Sequence, residues 1–300
     1  MPQLSGIFAA SATPLTSDLE IDHDRLVDHC RWLMDEMGCD GVNLLGTTGE
    51  ATSFSVEQRI GAMRAIADSG LPMSRFMVGT GAAAMQDALT LTRTACELGF
   101  AGALLLPPFY YKSVEDDALE AYVAAIIEQA VSGQTGLYLY HFPAMSSMPY
   151  PIEIVARLAE RFPGVLAGIK DSSGDLAHAQ ALLSRVPSIA VFPGAETLLA
   201  QAPDAGFAGC ISATANVTAS FISRGWKART TEEGQQALKT AADIRAVMSQ
   251  YPTIPAVKRT LAKLRGDDNW RRVHPPLAML SDAAWNELDA RLEETELFTG

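Results

Sequence analysis

The sequence predicts an α/β chain folded as a (β/α)8, or TIM, barrel with additional C-terminal helices. Short apolar runs closed by glycine, proline or polar clusters alternate with helical patterns, eight times in roughly 215 residues. A chain of 300 residues that is 48% hydrophobic can bury one large barrel core, and no shift of composition marks a linker. A doubly wound open sheet is the alternative. Gly79-Thr80-Gly81 supplies only a GxG fragment of its signature, and a strand-end turn explains that fragment as well. The expected division is a barrel core over 1–217 and a helical extension over 218–300.

Each element has its own signal. Gly6 to Ala12 is an apolar opening strand ended by Thr13-Pro14, and Asp22 can cap a helix with Leu26, Cys30, Leu33 and Met37 on one face. Gly41 to Leu45 is the second strand, closed by Gly46-Thr47-Thr48-Gly49-Glu50. Ser55 with Gln58 is a capping-box signature for a helix to about Asp68. Arg75 to Val78 is the third strand, followed by a helix from Gln86 to Leu98, and Ala103 to Leu106 is the fourth. Ser113 is expected to cap a helix carrying Leu119, Tyr122 and Ile126, and Leu137 to Tyr140 is the fifth strand. A helix near Ile152 to Arg161 leads to the sixth strand, Val165 to Lys170, and Asp175 to Val186 is helical. Ile189 to Phe192 and Gly209 to Ser212 complete the strands. Beyond Thr218 the pattern is helical, interrupted at Pro252, Pro255 and Pro275-Pro276.

Composition narrows the partners. A net charge of −12 argues against nucleic acid and anionic membranes, which select basic faces, but not against small anionic substrates. No apolar run is long enough to span a bilayer, and Met1-Pro2-Gln3 enters the first strand without a basic leader, so the expected location is cytoplasmic. Cys30, Cys39, Cys96 and Cys210 lack CxxC spacing and read as free thiols in a reducing compartment. The five histidines show no HxxH or HExxH pairing, so no metal site is expected.

Lys170 is the unusual residue. A lysine closing a strand buried on both faces loses hydration without an obvious partner. Desolvation of such a group favours a neutral, nucleophilic amine able to form a Schiff base, although a lysine can also snorkel out into water. Barrel active sites form at the C-terminal ends of the strands. That rule gathers Thr47, Thr48, Tyr110, Tyr140, Lys170, Gly194 and Ile211. One amine, two phenols and two hydroxyls suit imine chemistry on a small 2-oxo acid.

Gly46-Thr47-Thr48-Gly49-Glu50, Pro108-Phe109-Tyr110-Tyr111, Tyr140-His141-Phe142-Pro143, Gly168-Ile169-Lys170-Asp171-Ser172-Ser173-Gly174 and Gly209-Cys210-Ile211-Ser212-Ala213-Thr214-Ala215-Asn216 occur in that order. Together they resemble the dihydrodipicolinate synthase / N-acetylneuraminate lyase superfamily over residues 5–217. The resemblance implies an imine between Lys170 and pyruvate or the pyruvyl part of a substrate, with no cofactor. It implies that Tyr140 relays a proton, that Thr47 and Thr48 hold the carboxylate with Thr47 passing protons to Tyr140, and that Glu50 braces the loop. Tyr110, or Tyr111 if the register slips, would reach across a dimer interface, and the assembly would be a tetramer of tight dimers. Gly194 and Ile211 would line the pyruvate pocket, with His141 and Ser172 beside it.

Departures from the family pattern bear on substrate. Dihydrodipicolinate synthases place an arginine where this chain has Met145, which cannot grip a carboxylate with two parallel bonds. That speaks against condensation of pyruvate with aspartate semialdehyde unless another arginine substitutes. N-acetylneuraminate lyases carry two adjacent acids where this chain has Glu196 and Thr197, and a serine where it has Ala213. Glu196 can equally be a helix-start carboxylate. The expected activity is aldol cleavage, condensation or dehydration of another 2-oxo acid, such as a 2-keto-3-deoxy sugar acid. A barrel that binds a 2-oxo acid without catalysis is the rival.

Overall fold

The computed structural model describes residues 3–298; Met1 and Pro2, part of the stretch read above as lacking a leader, lie outside them. Strands β1 (Gly6–Ala10), β2 (Gly41–Leu44), β3 (Phe76–Gly79), β4 (Gly102–Leu105), β5 (Gly136–His141), β6 (Leu166–Asp171), β7 (Ala190–Pro193) and β8 (Gly209–Ser212) form one sheet. Every ladder is parallel, and β8 returns to pair with β1. Across the β7–β8 seam the Ala208 amide donates to the Val191 carbonyl at 3.0 Å, bringing the sheet round to a nearly closed barrel.

Helices follow the strands in turn: α1 (His23–Asp35), α2 (Val56–Asp68), α3 (Met85–Glu97), α4 (Asp116–Ala130), a single turn α5 (Pro143–Ser146), α6 (Ile152–Arg161), α7 (Leu176–Arg185), the short α8 (Glu196–Gln201) and α9 (Ala215–Lys227). The extension adds α10 (Glu232–Met248), α11 (Thr253–Arg265) and α12 (Asp282–Glu293). The boundary expected after 217 falls inside α9, the helix that closes the eighth unit. None of the helices among the described residues is long and apolar enough to cross a membrane.

Local chemistry explains the boundaries. Asp22 accepts from the Arg25 amide, and Ser55 and Gln58 complete a reciprocal capping box. Ser113 does not cap α4: it takes a left-handed backbone (φ +56°), and Glu115 stands at the cap without a side-chain bond. The sixth strand runs one residue past Lys170, because Asp171 pairs with both His141 and Pro193. Pro252 caps α11 and Pro255 sits in its first turn, where a missing N–H breaks no helical bond.

Alternation divides the core in two. Ile7, Val42, Val78, Leu105, Leu139 and Ile169 point outward against the helices, while Phe8, Met77, Leu104, Tyr138, Phe192 and Ile211 fill the barrel. A side chain at Gly168 would overlap the Tyr138 ring, so the strand carrying Lys170 needs glycine there to admit that filling.

His29 on α1 is wholly buried beside Trp270, at 4.6 Å between ring centres, and its Nε2 donates to Asn216 Oδ1 at 2.9 Å. Burial, partly offset by that bond, lowers its pKa from 6.5 to about 4. The unfolded chain therefore takes up a proton that the folded chain refuses between those values, and stability falls as pH drops through this window. The loss is about 3 kcal/mol in all. Urea unfolding between pH 7 and 4.5 should show a steeper decline in the native chain than in His29→Gln. Equal slopes would remove His29 from the account.

Candidate active site

The register of β5 and β6 sets the centre. Tyr140 pairs with Lys170 and His141 with Asp171, so alternation turns the first pair inward and the second outward. Lys170 is 4% exposed, with Nζ 4.4 Å from the centre of the Tyr140 ring. Among the described residues no carboxylate or hydrogen-bond partner ties up that nitrogen. It opens instead into a cavity of about 440 Å³ at the C-terminal mouth of the barrel. The Tyr140 hydroxyl lies 3.3 Å from Thr47 Oγ1, and the Tyr140 ring stacks on Phe142.

The β2 loop that carries Thr47 and Thr48 is held in an unusual shape. Leu45 (φ +49°) and Glu50 (φ +56°) bracket it in left-handed conformations that cost a non-glycine residue energy, so surrounding contacts must hold it. The Glu50 carboxylate, fully buried, pairs with the fully buried Lys258 of α11 and accepts from the His274 amide at 2.6 Å. Burial pushes the Lys258 amine down, and Glu50 opposes that. The loop is thus pinned from the C-terminal extension.

Thr47, Thr48, Tyr140, Lys170, Ser172 and Gly194 all line the cavity. Gly194 donates to the Asp171 carbonyl at 2.6 Å, and a Cβ at that position would overlap Ser172 Oγ. Ile211 lies lower, within the barrel filling, and does not reach the wall. Tyr110 is 73% exposed and packs edge-on against Tyr111, away from the chain's own cavity. Beyond Thr47, Tyr140 and Met145 lies a second lobe of about 250 Å³, walled by Leu45, Leu104, Leu106 and Phe109.

Two candidates turn away from the cavity. His141 is buried on the outer face, where its Nδ1 accepts the Tyr150 amide at 3.0 Å. Its ring stacks on His178, at 4.5 Å between centres, and His178 Nδ1 donates to Asp171 Oδ2 at 2.8 Å. By type, His141, Asp171 and His178 are a metal-binding set. The wiring opposes it, since His141 spends its lone pair on Tyr150 and carries its hydrogen on Nε2. Burial lowers the His141 pKa, so the ring stays neutral and Nδ1 keeps the lone pair that Tyr150 uses. Glu196, fully buried at the start of α8, accepts from Ser212 Oγ and Thr214 Oγ1, each at 2.5 Å, and from Thr218 Oγ1 at 3.2 Å.

Arg245 of α10 lines the cavity and was not visible from the strand ends. Its Nη1 donates to Thr214 Oγ1 at 2.9 Å, Ser212 Oγ at 3.1 Å and Glu196 Oε2 at 3.4 Å. Ile254, Pro255 and Leu277 of the extension complete that wall.

The model of the dihydrodipicolinate synthetase family matches residues 3–295. An uncharacterized DapA-like lyase of Chloroflexus aurantiacus is 36% identical over 214 residues, 71% of each chain. A 4-hydroxy-tetrahydrodipicolinate synthase of an Acidovorax species is 32% identical over 215 residues, 71% of this chain and 70% of its own. The dihydrodipicolinate synthase of Acinetobacter baumannii, solved in complex with pyruvate, superposes with a TM-score of 0.88 at 27% identity, covering 98% of this chain and 100% of that one.

Proposed function

The chain belongs to the dihydrodipicolinate synthetase family of lyases, and from that premise we propose that it forms a Schiff base through Lys170 with pyruvate or a pyruvyl-bearing 2-oxo acid. The observation that carries this reading is the buried Lys170 amine, open to the cavity and set against the Tyr140 ring. The Acinetobacter relative's complex with pyruvate supports the pyruvyl half. Imine formation supplies the electron sink through the lysine, so the reaction needs neither a metal nor an organic cofactor.

Lys170 attacks the C2 carbonyl, a proton is taken up, the carbonyl oxygen leaves as water, and a protonated imine joins Nζ to C2. In cleavage, Tyr140 accepts the proton of the C4 hydroxyl, with Thr47 next in the relay. The C3–C4 electron pair then flows into the imine, releasing an aldehyde and an enamine. Protonation at C3 and hydrolysis of the imine release pyruvate. Condensation runs the same steps backwards, and loss of water across C3–C4 is the other outcome the imine permits. Thr48 holds the 2-oxo acid's carboxylate, while Ser172 and Gly194 shape the wall around it. Ile211 supports the pocket from below, and His141 acts only through the strand it anchors.

The exposure of Tyr110, next in sequence to the Phe109 that walls the second lobe, supports a homo-oligomer in which a second copy's tyrosine completes the Thr47–Tyr140 relay. The free thiols, three of them buried, fit a cytoplasmic location.

A panel of 2-oxo acids, alone and with aldehydes, assayed for pyruvate release or uptake tests this function. Turnover of at least one member, a 2-keto-3-deoxy sugar acid foremost, is expected. Imine formation without turnover anywhere in the panel would favour the binding barrel instead. In Tyr140→Phe, kcat should fall about a hundredfold with KM little changed. A change confined to KM would mean that Tyr140 positions the substrate rather than moving a proton.

A further inference from the structure

The inference concerns the end of the substrate that does not become pyruvate, and it rests on the Schiff-base reading. Apart from Lys170, Arg245 brings the only cationic side chain to the cavity wall among the described residues. Its three hydrogen bonds all leave from Nη1. The Nε–Nη2 edge, the fork that takes a carboxylate or phosphate with two parallel bonds, has no protein partner among the described residues. Neither of those nitrogens is sealed from solvent, since the buried polar atoms without partners do not include them.

The anchoring is built. Glu196 is buried, and each of its oxygens is already engaged by Ser212, Thr214 and Thr218 hydroxyls. Ser212 and Thr214 in turn receive Arg245 Nη1. This arrangement fixes Nη1 and leaves the other edge of a cavity-lining guanidinium without a partner among the described residues. The acidic side chain near the site thus holds the arginine and does not itself meet substrate.

We infer that Arg245 selects 2-oxo acids whose far end carries an oxyanion, and that Glu196 is the positioning residue that aims it. The shared chemistry is a carboxylate or a phosphoryl group. A neutral polyol chain gains nothing from the fork, and a cationic chain is repelled.

The test uses borohydride trapping of the imine, read by intact mass. The probes are 2-oxoglutarate and 2-oxoadipate against the equally long 2-oxopentanoate and 2-oxohexanoate. The unaltered protein should half-saturate with at least one diacid at a concentration roughly 10- to 100-fold lower than with its neutral counterpart. Arg245→Gln should abolish that preference while trapping pyruvate as before, and Arg245→Lys should restore part of it. Glu196→Gln should weaken the preference without removing it, leaving pyruvate trapping unchanged. A phosphorylated 2-oxo acid of similar length that half-saturates below the diacids would make the preferred end phosphoryl; the reverse order would make it a carboxylate. Adducts without diacid preference, or a preference that survives Arg245→Gln, would overturn this inference alone. No adduct with any acid in the unaltered protein would overturn the imine reading and this one with it.

Discussion

Lys170→Ala should abolish turnover of every substrate the protein accepts while leaving the fold intact. Among the described residues no other amine lines the cavity, so removing this one removes the covalent step, and losses on the order of 10⁴-fold or more are expected. The stability cost should be small. The side chain opens into an existing cavity, so its loss enlarges that space rather than creating a sealed void. Lys170→Arg is the sharper control, because it keeps a long basic side chain of similar bulk but a guanidinium does not form the imine. Steady-state rates for both variants, with circular dichroism to confirm folding, check the point. Residual turnover above one per cent in Lys170→Ala would place the nucleophile elsewhere.

Lys258→Met should cost about 3–5 kcal/mol of stability. The methionine fills much of the same volume but leaves the Glu50 carboxylate buried with, among the described residues, only the His274 amide as a partner. Glu50 also ends the loop that presents Thr47 and Thr48, in a backbone shape that needs outside support. The variant should therefore form the imine less readily as well as unfold more easily. Urea denaturation of Lys258→Met, Glu50→Gln and the double variant Glu50→Gln/Lys258→Met reads the pair directly. The double variant should recover part of the loss, because it no longer buries an unpaired charge. A double variant as unstable as the sum of the singles would show that the two residues act independently.

Much of this architecture follows from local rules. The strands are buried on both faces and so read as continuous apolar runs, and Asp22 and Ser55 announced their helices by capping chemistry. Ser113 misled because it is the left-handed residue of the preceding turn, a geometry that its side chain does not reveal. Within the site, Tyr140 and Lys170 were legible as inward residues at two strand ends. The same period of two could have excluded His141, since a strand that turns Tyr140 inward must turn its neighbour outward. Glu196 was recognised as a nearby carboxylate, but not as the anchor of a cation. Arg245 was hidden because it lies on a helix beyond the barrel, about fifty positions from Glu196, and only tertiary packing of α10 against α8 brings them together. Contacts between the extension and the mouth carry no periodic signal, which is also why the Lys258–Glu50 pair could be expected only as a brace of unknown partner.

The central claim is that one buried amine at the end of β6 captures a ketone. Borohydride reduction in the presence of pyruvate, followed by intact-mass spectrometry and peptide mapping, tests it most directly. A single adduct with the mass of one reduced pyruvyl group, confined to the peptide containing Lys170 and absent from Lys170→Ala, is the expected result. An unmodified protein, or an adduct on another lysine that persists in Lys170→Ala, would contradict it.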